Sequence, residues 1–526
     1  MNGAIAAGHR LTAEAGARVL AEGGNAVDAC VAAAFAAWVA ESPLTGPGAG
    51  GFALVVPGDG RPPRVADFFV ATPGRGRPAV SGASMHAIDV GFGGDSDTTQ
   101  VFRIGEASSA VPGATAGLEA LHRAYGRLPW RELLEPAIDL ARSGLELNRP
   151  QAHLHAILDQ ILRHTDEGRR LYSSADGSRL GPGDLLRLPD LGTTLELIAA
   201  EGATPLYTGD LSRDLVATVE SGGGLLTAAD LAEYRVVWRR PVRINYRGLE
   251  VISNPPPSSG GILIAYGLAL LERVGRGAPG SAAAIESLIG VMREQTRVRD
   301  DGFASALHRG GLVQRLLSAQ AVDAAAARIA LGLSGRVEHS PAGGTTHVSV
   351  VDGEGNAASL SSSTGSGSGI IVPGTGIHLN NMLGEYDLVA GGPAAPGRRL
   401  TSMMAPTVVR GTGGPRLVVG SAGSVRLRGA IMQVIENVVG HGLDVATAID
   451  APRVHVDEPH IHCEGGFEPA ALEQIEAWGY DVVRWRRRNL FFGGTNAVEV
   501  LPGGALAAAG DARRGGDGVV VGASRT

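Results

Sequence analysis

The sequence feature with the clearest chemical meaning is the bond between Gly344 and Thr345, at the start of the run TTHVSVVD. A threonine hydroxyl inside a chain is a weak nucleophile, but cutting this bond would give Thr345 a free α-amine beside its own oxygen. Such an amine has a pKa of about 7.7 to 8.0, so it can accept the hydroxyl proton near neutral pH. This bond is predicted to be a cleavage site, and Thr345 is predicted to be the nucleophile. The alternative is that Thr345 is an ordinary strand threonine.

The residues that follow Thr345 offer further hydroxyl and imidazole groups. Thr346 brings a second hydroxyl close to the nucleophile, where it could orient Thr345 or contribute to substrate binding. His347 shares a strand face with Thr345, because side chains alternate along a strand. We nevertheless predict a structural role for His347, since the α-amine already supplies a base.

The local sequence predicts how this junction is positioned. Residues 340–344 form a small-residue stretch, and an exposed linker of this kind suits a cleavage site. Runs 346–351 and 356–360 flank the turn DGEG, which predicts a hairpin with Thr345 at the first residue of a strand. The Ser- and Gly-rich stretch 359–369 is interpreted as an ordered loop beside the nucleophile rather than a flexible linker.

The rest of the chain mixes helices with strands and shows no fixed-period repeat. A capping box is predicted at residues 227–230, with Asp230 in the place usually taken by Glu. Strands are predicted at 52–56 and 242–246. Apolar periodicity and capping residues predict helices at 11–20, 26–40, 115–125, 130–143, 195–201 and 262–274.

Composition limits the classes of function. The 526 residues are 44% hydrophobic and 19% charged, with 78 Gly and 29 Pro, which predicts a large core with many tight turns. The net charge of -7 and the scattered basic residues argue against nucleic acid or an anionic membrane as a partner. Arg486–Arg488 lie near Trp485 and two phenylalanines, but we interpret them as a solvated turn.

Neither a disulfide framework nor a cofactor is predicted. The two cysteines, Cys30 and Cys463, form no metal-binding pattern, and no His, Asp or Cys cluster has ligand spacing. The glycine-rich pieces lack the lysine of a phosphate-binding loop. The N-terminus lacks the features of a secretory signal, and the apolar run 29–40 is too short to span a bilayer. We therefore expect a cytoplasmic protein with a small-molecule substrate.

Five motifs in series carry a family resemblance: GNAVDA at 24–29, PPPSSGG at 255–261, TTH at 345–347, NN at 380–381 and SMMAPT at 402–407. Together they resemble the gamma-glutamyltransferase (glutathione hydrolase) family over nearly the whole chain. The resemblance implies an α/β (α+β) N-terminal-nucleophile hydrolase fold, an αββα sandwich of two stacked antiparallel sheets between helical layers. It also implies one domain built from segments 1–344 and 345–526 of a self-cleaving precursor, which could form a homodimer.

The resemblance also assigns catalytic positions. Thr345 matches the nucleophile, and Ser363 falls where the family has a threonine that orients it; an ordinary loop serine is the alternative. Gly423 and Ser424 match two adjacent glycines whose backbone N–H groups form the oxyanion hole. A serine can replace the second glycine if the backbone conformation there tolerates a side chain.

The substrate-binding positions depart from the family pattern. Phe69 stands where the family has an arginine that binds the glutamyl α-carboxylate; the alternative for Phe69 is a simple core aromatic. Met382 replaces a glutamine, and the loop around Gly365 is shortened and lacks an asparagine. Losing a bidentate arginine removes two charged hydrogen bonds of roughly 1.5 to 3 kcal/mol each. The positions that keep their polar type are Glu385, for the substrate amine, and Thr401 and Ser402, for the carboxylate.

These departures predict a retained reaction with an altered donor. The leading hypothesis is a hydrolase or acyltransferase acting through an acyl-Thr intermediate on a donor other than glutathione, including C–C bond hydrolysis in alkylproline-type antibiotic biosynthesis. The alternatives are an ordinary gamma-glutamyl hydrolase and an unprocessed, non-catalytic homologue. Arg398, Arg399 or Arg426 could supply a replacement carboxylate contact, although structural roles are favoured for each.

Overall fold

A computed structural model describes residues 3–77, 85–91, 99–275, 277–299, 302–332, 344–385, 388 and 394–522. The bond between Gly344 and Thr345 is therefore included. The predicted linker residues 340–343 lie outside the described residues.

The first of two large sheets has seven strands in the order β13-β1-β7-β8-β2-β3-β4. Its strands are β1 Gly3–Ala7, β2 Gly50–Val56, β3 Arg64–Phe68, β4 Val237–Arg239, β7 Thr346–Val351, β8 Ala357–Ser363 and β13 Asp517–Val521. All of its strand pairs are antiparallel. β7 and β8 form a hairpin whose two strands are buried along their whole length, which suits their small and apolar residues.

The second large sheet has six strands in the order β12-β11-β10-β9-β6-β5, again all antiparallel. Its strands are β5 Val242–Tyr246, β6 Leu249–Ser253, β9 Thr407–Gly411, β10 Gly414–Ala422, β11 Gly494–Val500 and β12 Leu506–Ala509. Both sheets combine strands that precede Thr345 with strands that follow it, so the two segments of the chain share one body. The smaller ribbons pair His86–Gly91 with Thr99–Ile104, Leu145–Glu146 with Leu185–Leu186, Ile371–Val372 with Ile377–His378, and Val454–Asp457 with His460–Cys463 and Asp481–Arg484.

Helices cover the outer face of each sheet. The first sheet packs against α1 Arg10–Ala21 and α2 Ala26–Ala40 in one apolar cluster, in which Val348 and Val350 of β7 take part. The other helices that precede the second sheet are Ala114–Tyr125, Trp130–Ser143, Arg149–Ile157, Asp159–Leu162, Asp166–Tyr172, Pro189–Glu201, Thr204–Tyr207, Asp210–Ser221 and Ala228–Ala232. The remaining helices are Gly260–Val274, Ala282–Arg297, Phe303–Arg309, Leu312–Leu316, Ala319–Ala330, Leu427–Ile435, Val445–Asp450 and Pro469–Ala477.

Another apolar cluster fills the space between the two sheets. Phe52 and Leu54 of β2 meet Val408, Val418 and Val498 of the second sheet there. A separate cluster joins the second sheet to the helices Gly260–Val274 and Leu427–Ile435. The layers are therefore helix, sheet, sheet, helix, and the predicted αββα sandwich is confirmed.

The strand pairing brings many strand ends to one end of the sandwich. Ser363 at the end of β8 pairs with Gly50 at the start of β2, and Gly51 pairs with Phe68 at the end of β3. His347 contacts the position of Gly420, near the end of β10, so the second sheet is aligned with the first. The start of β7 and the ends of β3, β8 and β10 therefore lie together.

Most of the predicted elements agree with the structure, although the helix predicted at 195–201 begins at Pro189 and two details of the nucleophile hairpin differ. The capping box at Thr227 and Asp230 is present, and the helices predicted at 26–40 and 130–143 have those bounds. Thr345 lies immediately before β7 rather than at its first residue. Residues 359–363 belong to β8 rather than to a loop, because they pair with both β7 and β2.

In the described parts of the chain, no helix has the length and apolarity needed to cross a membrane. The aromatic residues near the arginine run face inward, since Trp485, Phe491 and Phe492 form a buried cluster. Arg486–Arg488 are exposed, and Arg488 forms an ion pair with Asp450 at 3.0 Å.

Candidate active site

The carbonyl group of Gly344, on the N-terminal side of the predicted scissile bond, is held by a hydroxyl. Ser363 lies at the end of β8, next to the start of β7 in the hairpin, and its Oγ donates a hydrogen bond to the Gly344 oxygen. Gly344 N–H donates to the Gly365 oxygen at 2.9 Å. A donor on a carbonyl oxygen withdraws electron density from the carbonyl carbon, which favours attack by a nucleophile.

The loop that follows Ser363 is ordered by hydrogen bonds at both of its sides. Thr364 N–H donates to the Leu44 oxygen at 2.9 Å, and Asn381 N–H donates to the Thr364 oxygen at 3.0 Å. The Asn381 side chain accepts from Ser366 N–H at 2.9 Å and donates to the Ser366 hydroxyl at 2.6 Å. The second asparagine of the NN motif therefore fixes the shortened loop beside Gly344.

Gly365 cannot be replaced by a larger residue in this loop. Its φ of 72° lies in the left-handed region, and a Cβ there would come within 2.1 Å of Asn381 Oδ1 and 3.0 Å of Glu385 Oε1. Backbone that passes this close to a polar side chain requires glycine. The position predicted to contact substrate is thus a backbone element of the pocket wall.

Thr346 has a different environment from the one predicted. Its hydroxyl donates to Glu41, which also accepts the Thr12 hydroxyl at 3.0 Å. Thr346 faces the helical layer, as Val348 and Val350 do, because side chains alternate along β7. The prediction that Thr346 orients Thr345 or binds substrate is therefore corrected to a structural contact with Glu41.

Glu41 is a buried carboxylic acid that the sequence reasoning missed. It follows the last residue of α2 and is 1% exposed. Burial raises the pKa of Glu41 to about 7, while the hydroxyls of Thr346 and Thr12 and the Arg514 charge act to lower it. An acidic residue directly after a helix of fifteen buried residues is itself expected to be buried, and a buried acid needs polar partners inside the fold.

His347 is held as a neutral side chain between the sheets. Its Nδ1 lies 2.8 Å from Ser361 Oγ and its Nε2 lies 2.9 Å from Ser349 Oγ. Burial lowers the pKa of His347 to about 3, so the ring stays uncharged at neutral pH. These contacts connect β7 to β8 and to the Gly420 backbone, which is a structural role.

The turn after β10 presents backbone N–H groups at the same end of the sandwich. Gly423 has φ 121° and precedes a short 3-10 helix, Ser424–Arg426, that leads into Leu427–Ile435. The first N–H groups of a helix have no partner within the helix, so they are suited to an oxyanion. Ser424 has φ 52°, a conformation that costs a non-glycine residue roughly 1 to 2 kcal/mol.

The two apolar departures from the family pattern occur in one cluster. Phe69 is 1% exposed and stacks on Phe52, with ring centroids 5.4 Å apart, and Met382 belongs to the same buried cluster. Tyr234 donates its hydroxyl to the Phe69 oxygen at 2.8 Å, which fixes the backbone there. This side of the predicted pocket is therefore apolar and firmly packed.

The three arginines considered as replacement carboxylate ligands have other surroundings. Arg399 Nε donates to the buried carboxylate of Asp67 at 3.1 Å, and its guanidinium lies 4.4 Å from the Tyr234 ring centroid. Arg426 lies 4.4 Å from the Phe491 ring centroid. Arg398 is exposed. The contacts of Arg399 and Arg426 support the structural roles favoured from the sequence.

The remaining predicted pocket residues lie around the Asn381 loop and the SMMAPT motif. Glu385 is buried, with Oε1 facing Gly365. Thr401 donates its hydroxyl to the Leu388 oxygen at 3.1 Å. Ser402 Oγ accepts from Met404 N–H at 3.1 Å, while the Ser402 carbonyl accepts from Ser258 and Ser259. The PPPSSGG motif thus holds the Ser402 segment in place.

Two further features lie away from these residues. A cleft of about 610 Å³ runs among the helices between 260 and 330, and none of the predicted site residues lines it. In the ranges of the chain that the structure describes, no cluster of three His, Cys, Asp or Glu side chains could hold a metal ion.

Comparison with known proteins gives a consistent match. The gamma-glutamyltranspeptidase family model matches residues 12–521. The acylase ACY 1 proenzyme of Pseudomonas sp. (strain V22) is 34% identical, covering 96% of this chain and 91% of its own length. The glutathione hydrolase proenzyme of Escherichia coli (strain K12) is 32% identical, covering 97% and 90% respectively.

A solved structure is similar over the same extent. Cephalosporin acylase from Bacillus halodurans superimposes with a TM-score of 0.83 at 26% identity, covering 99% of this chain and 96% of that one. The relatives therefore carry both glutathione hydrolase and acylase names on one fold.

Proposed function

Since this chain belongs to the gamma-glutamyltranspeptidase family, we propose that it is a self-cleaving hydrolase or acyltransferase that uses Thr345 to open acyl donors other than glutathione. The observation that carries the proposal is the Ser363 hydroxyl on the Gly344 carbonyl, beside the start of β7. The acylase names of relatives support a donor other than glutathione.

Maturation is the first proposed step. Thr345 Oγ would attack the Gly344 carbonyl carbon, with Ser363 donating to the carbonyl oxygen. The hydroxyl proton passes to the amide nitrogen as the C–N bond breaks, so this N-to-O acyl shift converts the amide to an ester. Water then hydrolyses the ester, which leaves the Gly344 carboxylate and the free amine of Thr345. The products are segments 1–344 and 345–526, which share both sheets and would stay associated.

The mature enzyme would repeat this chemistry on a substrate. The Thr345 hydroxyl gives its proton to the α-amine as Oγ bonds to the donor carbonyl carbon, and the carbonyl electron pair moves to oxygen. Backbone N–H groups at Gly423 and Ser424 would stabilise that oxyanion. Collapse breaks the bond to the leaving group, which takes the proton, and water or an amine then releases the acyl group.

The donor is proposed to lack a strict need for an α-carboxylate. Phe69 and Met382 are packed in one apolar cluster, and Arg399 is already bound to Asp67. A buried carboxylate without a charged partner is costly to bind. Glu385 remains near Gly365 as an acidic group that suits a donor amine.

Cleavage of a C–C bond next to a carbonyl, in alkylproline-type antibiotic biosynthesis, is a second reaction that we include. The same Thr345 addition would expel a carbon leaving group, which must take both the bond electron pair and a proton. Such a carbanion needs stabilisation within the substrate, so amides are the simpler first donors.

Three p-nitroanilides test the donor proposal: γ-glutamyl, 4-aminobutanoyl, which lacks only the α-carboxylate, and butanoyl, which also lacks the amine. We expect kcat/KM for the 4-aminobutanoyl anilide to equal or exceed that for the γ-glutamyl anilide, because position 69 has no arginine to bind the α-carboxylate. The Thr345→Ala variant is the inactive control. A strong γ-glutamyl preference would contradict the donor assignment, and no turnover of any anilide would contradict the proposed function.

A further inference from the structure

Arg514 lies beside the turn predicted to bind the oxyanion. It is the last residue of a short 3-10 helix, Ala512–Arg514, in the connection between β12 and β13. A Cβ placed on Gly423 would lie 3.6 Å from Arg514 Nη2. The guanidinium therefore lies on the side of Gly423 where a side chain would project, next to the predicted oxyanion turn.

Close packing against Gly494 fixes the position of the Arg514 side chain. A Cβ on Gly494, the first residue of β11, would come within 2.4 Å of Arg514 Cδ, so only glycine leaves room for the arginine stem. Nη2 donates weakly to the Leu490 oxygen at 3.4 Å, and the Arg514 oxygen accepts from Gln151 at 3.3 Å. Within the described residues, the buried Nε has no hydrogen-bond partner.

The charge of Arg514 is also coupled to the other side of the site. Burial lowers the pKa of Arg514 to about 10, against the charges of Asp511 and Glu41, which raise it. The guanidinium therefore stays protonated at neutral pH. Glu41 accepts the hydroxyl of Thr346, the residue next to the nucleophile. Arg514 thus interacts electrostatically with a carboxyl group under the nucleophile strand and lies beside the turn after β10.

We propose that Arg514 is a positioning residue of the acyl-transfer reaction: it orders the turn at Gly423 and Ser424 and places a positive charge behind the oxyanion. The inference rests on the proposed function. Bond dipoles and charges fixed before the reaction favour a developing negative charge without having to reorient. Arg426, three residues into the same turn, adds a second buried guanidinium, which stacks on Phe491.

The alternative for Arg514 is a purely structural tie between the turn and β11. If Arg514 were only a structural tie, its replacement would impair substrate binding and the chemical step equally. The replacement would also lower the stability of the protein. A charge behind the oxyanion acts on the transition state more than on the bound donor, so it changes kcat more than KM.

The test compares Arg514→Met and Arg514→Lys in the processed protein, using the p-nitroanilide that the unaltered enzyme turns over fastest. We expect Arg514→Met to lower kcat by roughly 10- to 100-fold with KM within about twofold, since removing a direct oxyanion donor costs about 10²–10³. Arg514→Lys keeps the charge and should recover most of the loss.

Arg416 supplies the matched control, because its side chain is also partly buried and it lies near the opposite end of β10. Its guanidinium contacts Glu499 at 2.6 Å and the Val500 oxygen at 3.0 Å. Arg416→Met should leave kcat near its original value. Unchanged kcat in Arg514→Met, no recovery in Arg514→Lys, or an equal loss in Arg416→Met would overturn the inference. An inactive unaltered enzyme would instead overturn the proposed function, and the inference with it.

Discussion

At the scale of single residues, two neighbouring hydroxyls at the end of β8 have different partners. Ser363 Oγ donates to the Gly344 carbonyl, whereas Ser362 faces the helical layer and lies 2.9 Å from Thr45 Oγ1. The sequence shows only a run of serines at 361–363. Their opposite faces give them separate roles.

Ser363→Ala is expected to slow self-cleavage by roughly tenfold or more, because the Gly344 carbonyl loses its hydrogen-bond donor. Ser363→Thr keeps a hydroxyl and should cleave at nearly the original rate. A time course of freshly made protein on denaturing electrophoresis measures this. Ser362→Ala is the neighbouring control, and equal slowing in that variant would remove the specific role of Ser363.

Glu41 gives the protein a predictable pH dependence of stability. Its pKa is about 7 in the fold against 4.5 when unperturbed, so between these values the folded state keeps a proton that the unfolded state has lost. Stability due to Glu41 is thus present at low pH and is lost as pH rises toward and through 7. Over pH 5 to 8 the loss amounts to about 2 to 3 kcal/mol.

Glu41→Gln should therefore reduce the difference in unfolding free energy between pH 5 and pH 8 by about this amount. Urea unfolding of the uncut Thr345→Ala chain, with and without Glu41→Gln, measures the difference without fragment dissociation. The exposed Glu201→Gln should leave it unchanged. A Glu41→Gln profile parallel to that of its parent would show that Glu41 does not titrate in this way.

At the scale of elements, the turn between β10 and the helix Leu427–Ile435 carries a strained serine. Ser424 has φ 52°, where the family resemblance expects glycine. From the sequence, a serine is expected to be tolerated here only if the backbone conformation allows a side chain. In the structure the turn has the left-handed conformation at Ser424, and the strain is not relieved by a glycine.

Ser424→Gly should be more stable than Ser424→Ala by about 1 kcal/mol, because both variants lose the hydroxyl and only glycine relieves the left-handed strain. The comparison by thermal or urea unfolding isolates the backbone effect. Both variants keep their backbone N–H groups, so both should retain acyl transfer. A more stable Ser424→Ala would contradict the conformation of this turn.

The elements also show what the sequence could predict. The helices at 26–40 and 130–143 were predictable, because their apolar residues are continuous or periodic. The environment of Thr346 was not, because its partner Glu41 lies 305 residues away in the chain. Arg514 was missed for the same reason, since only the packing of β11 against it brings it to Gly423.

At the scale of the whole molecule, the interleaved sheets explain how one chain can be cut and keep its site. In the first sheet, strands from before and after Thr345 are neighbours at three places, β13–β1, β1–β7 and β8–β2, and β6 pairs with β9 in the second sheet. The predicted pocket residues come from both segments as well: Phe69 precedes the predicted cleavage site, and Met382 and Ser402 follow it. Cleavage would therefore free an amine without separating the parts of the site.

Mass spectrometry of protein quenched during turnover of 4-aminobutanoyl-p-nitroanilide can show whether Thr345 is both the new N-terminus and the acyl acceptor. We predict a fragment of residues 345–526 with the acyl group on Thr345, and an uncut, unlabelled chain for Thr345→Ala. An acyl group on another residue, or normal cleavage of Thr345→Ala, would contradict the account.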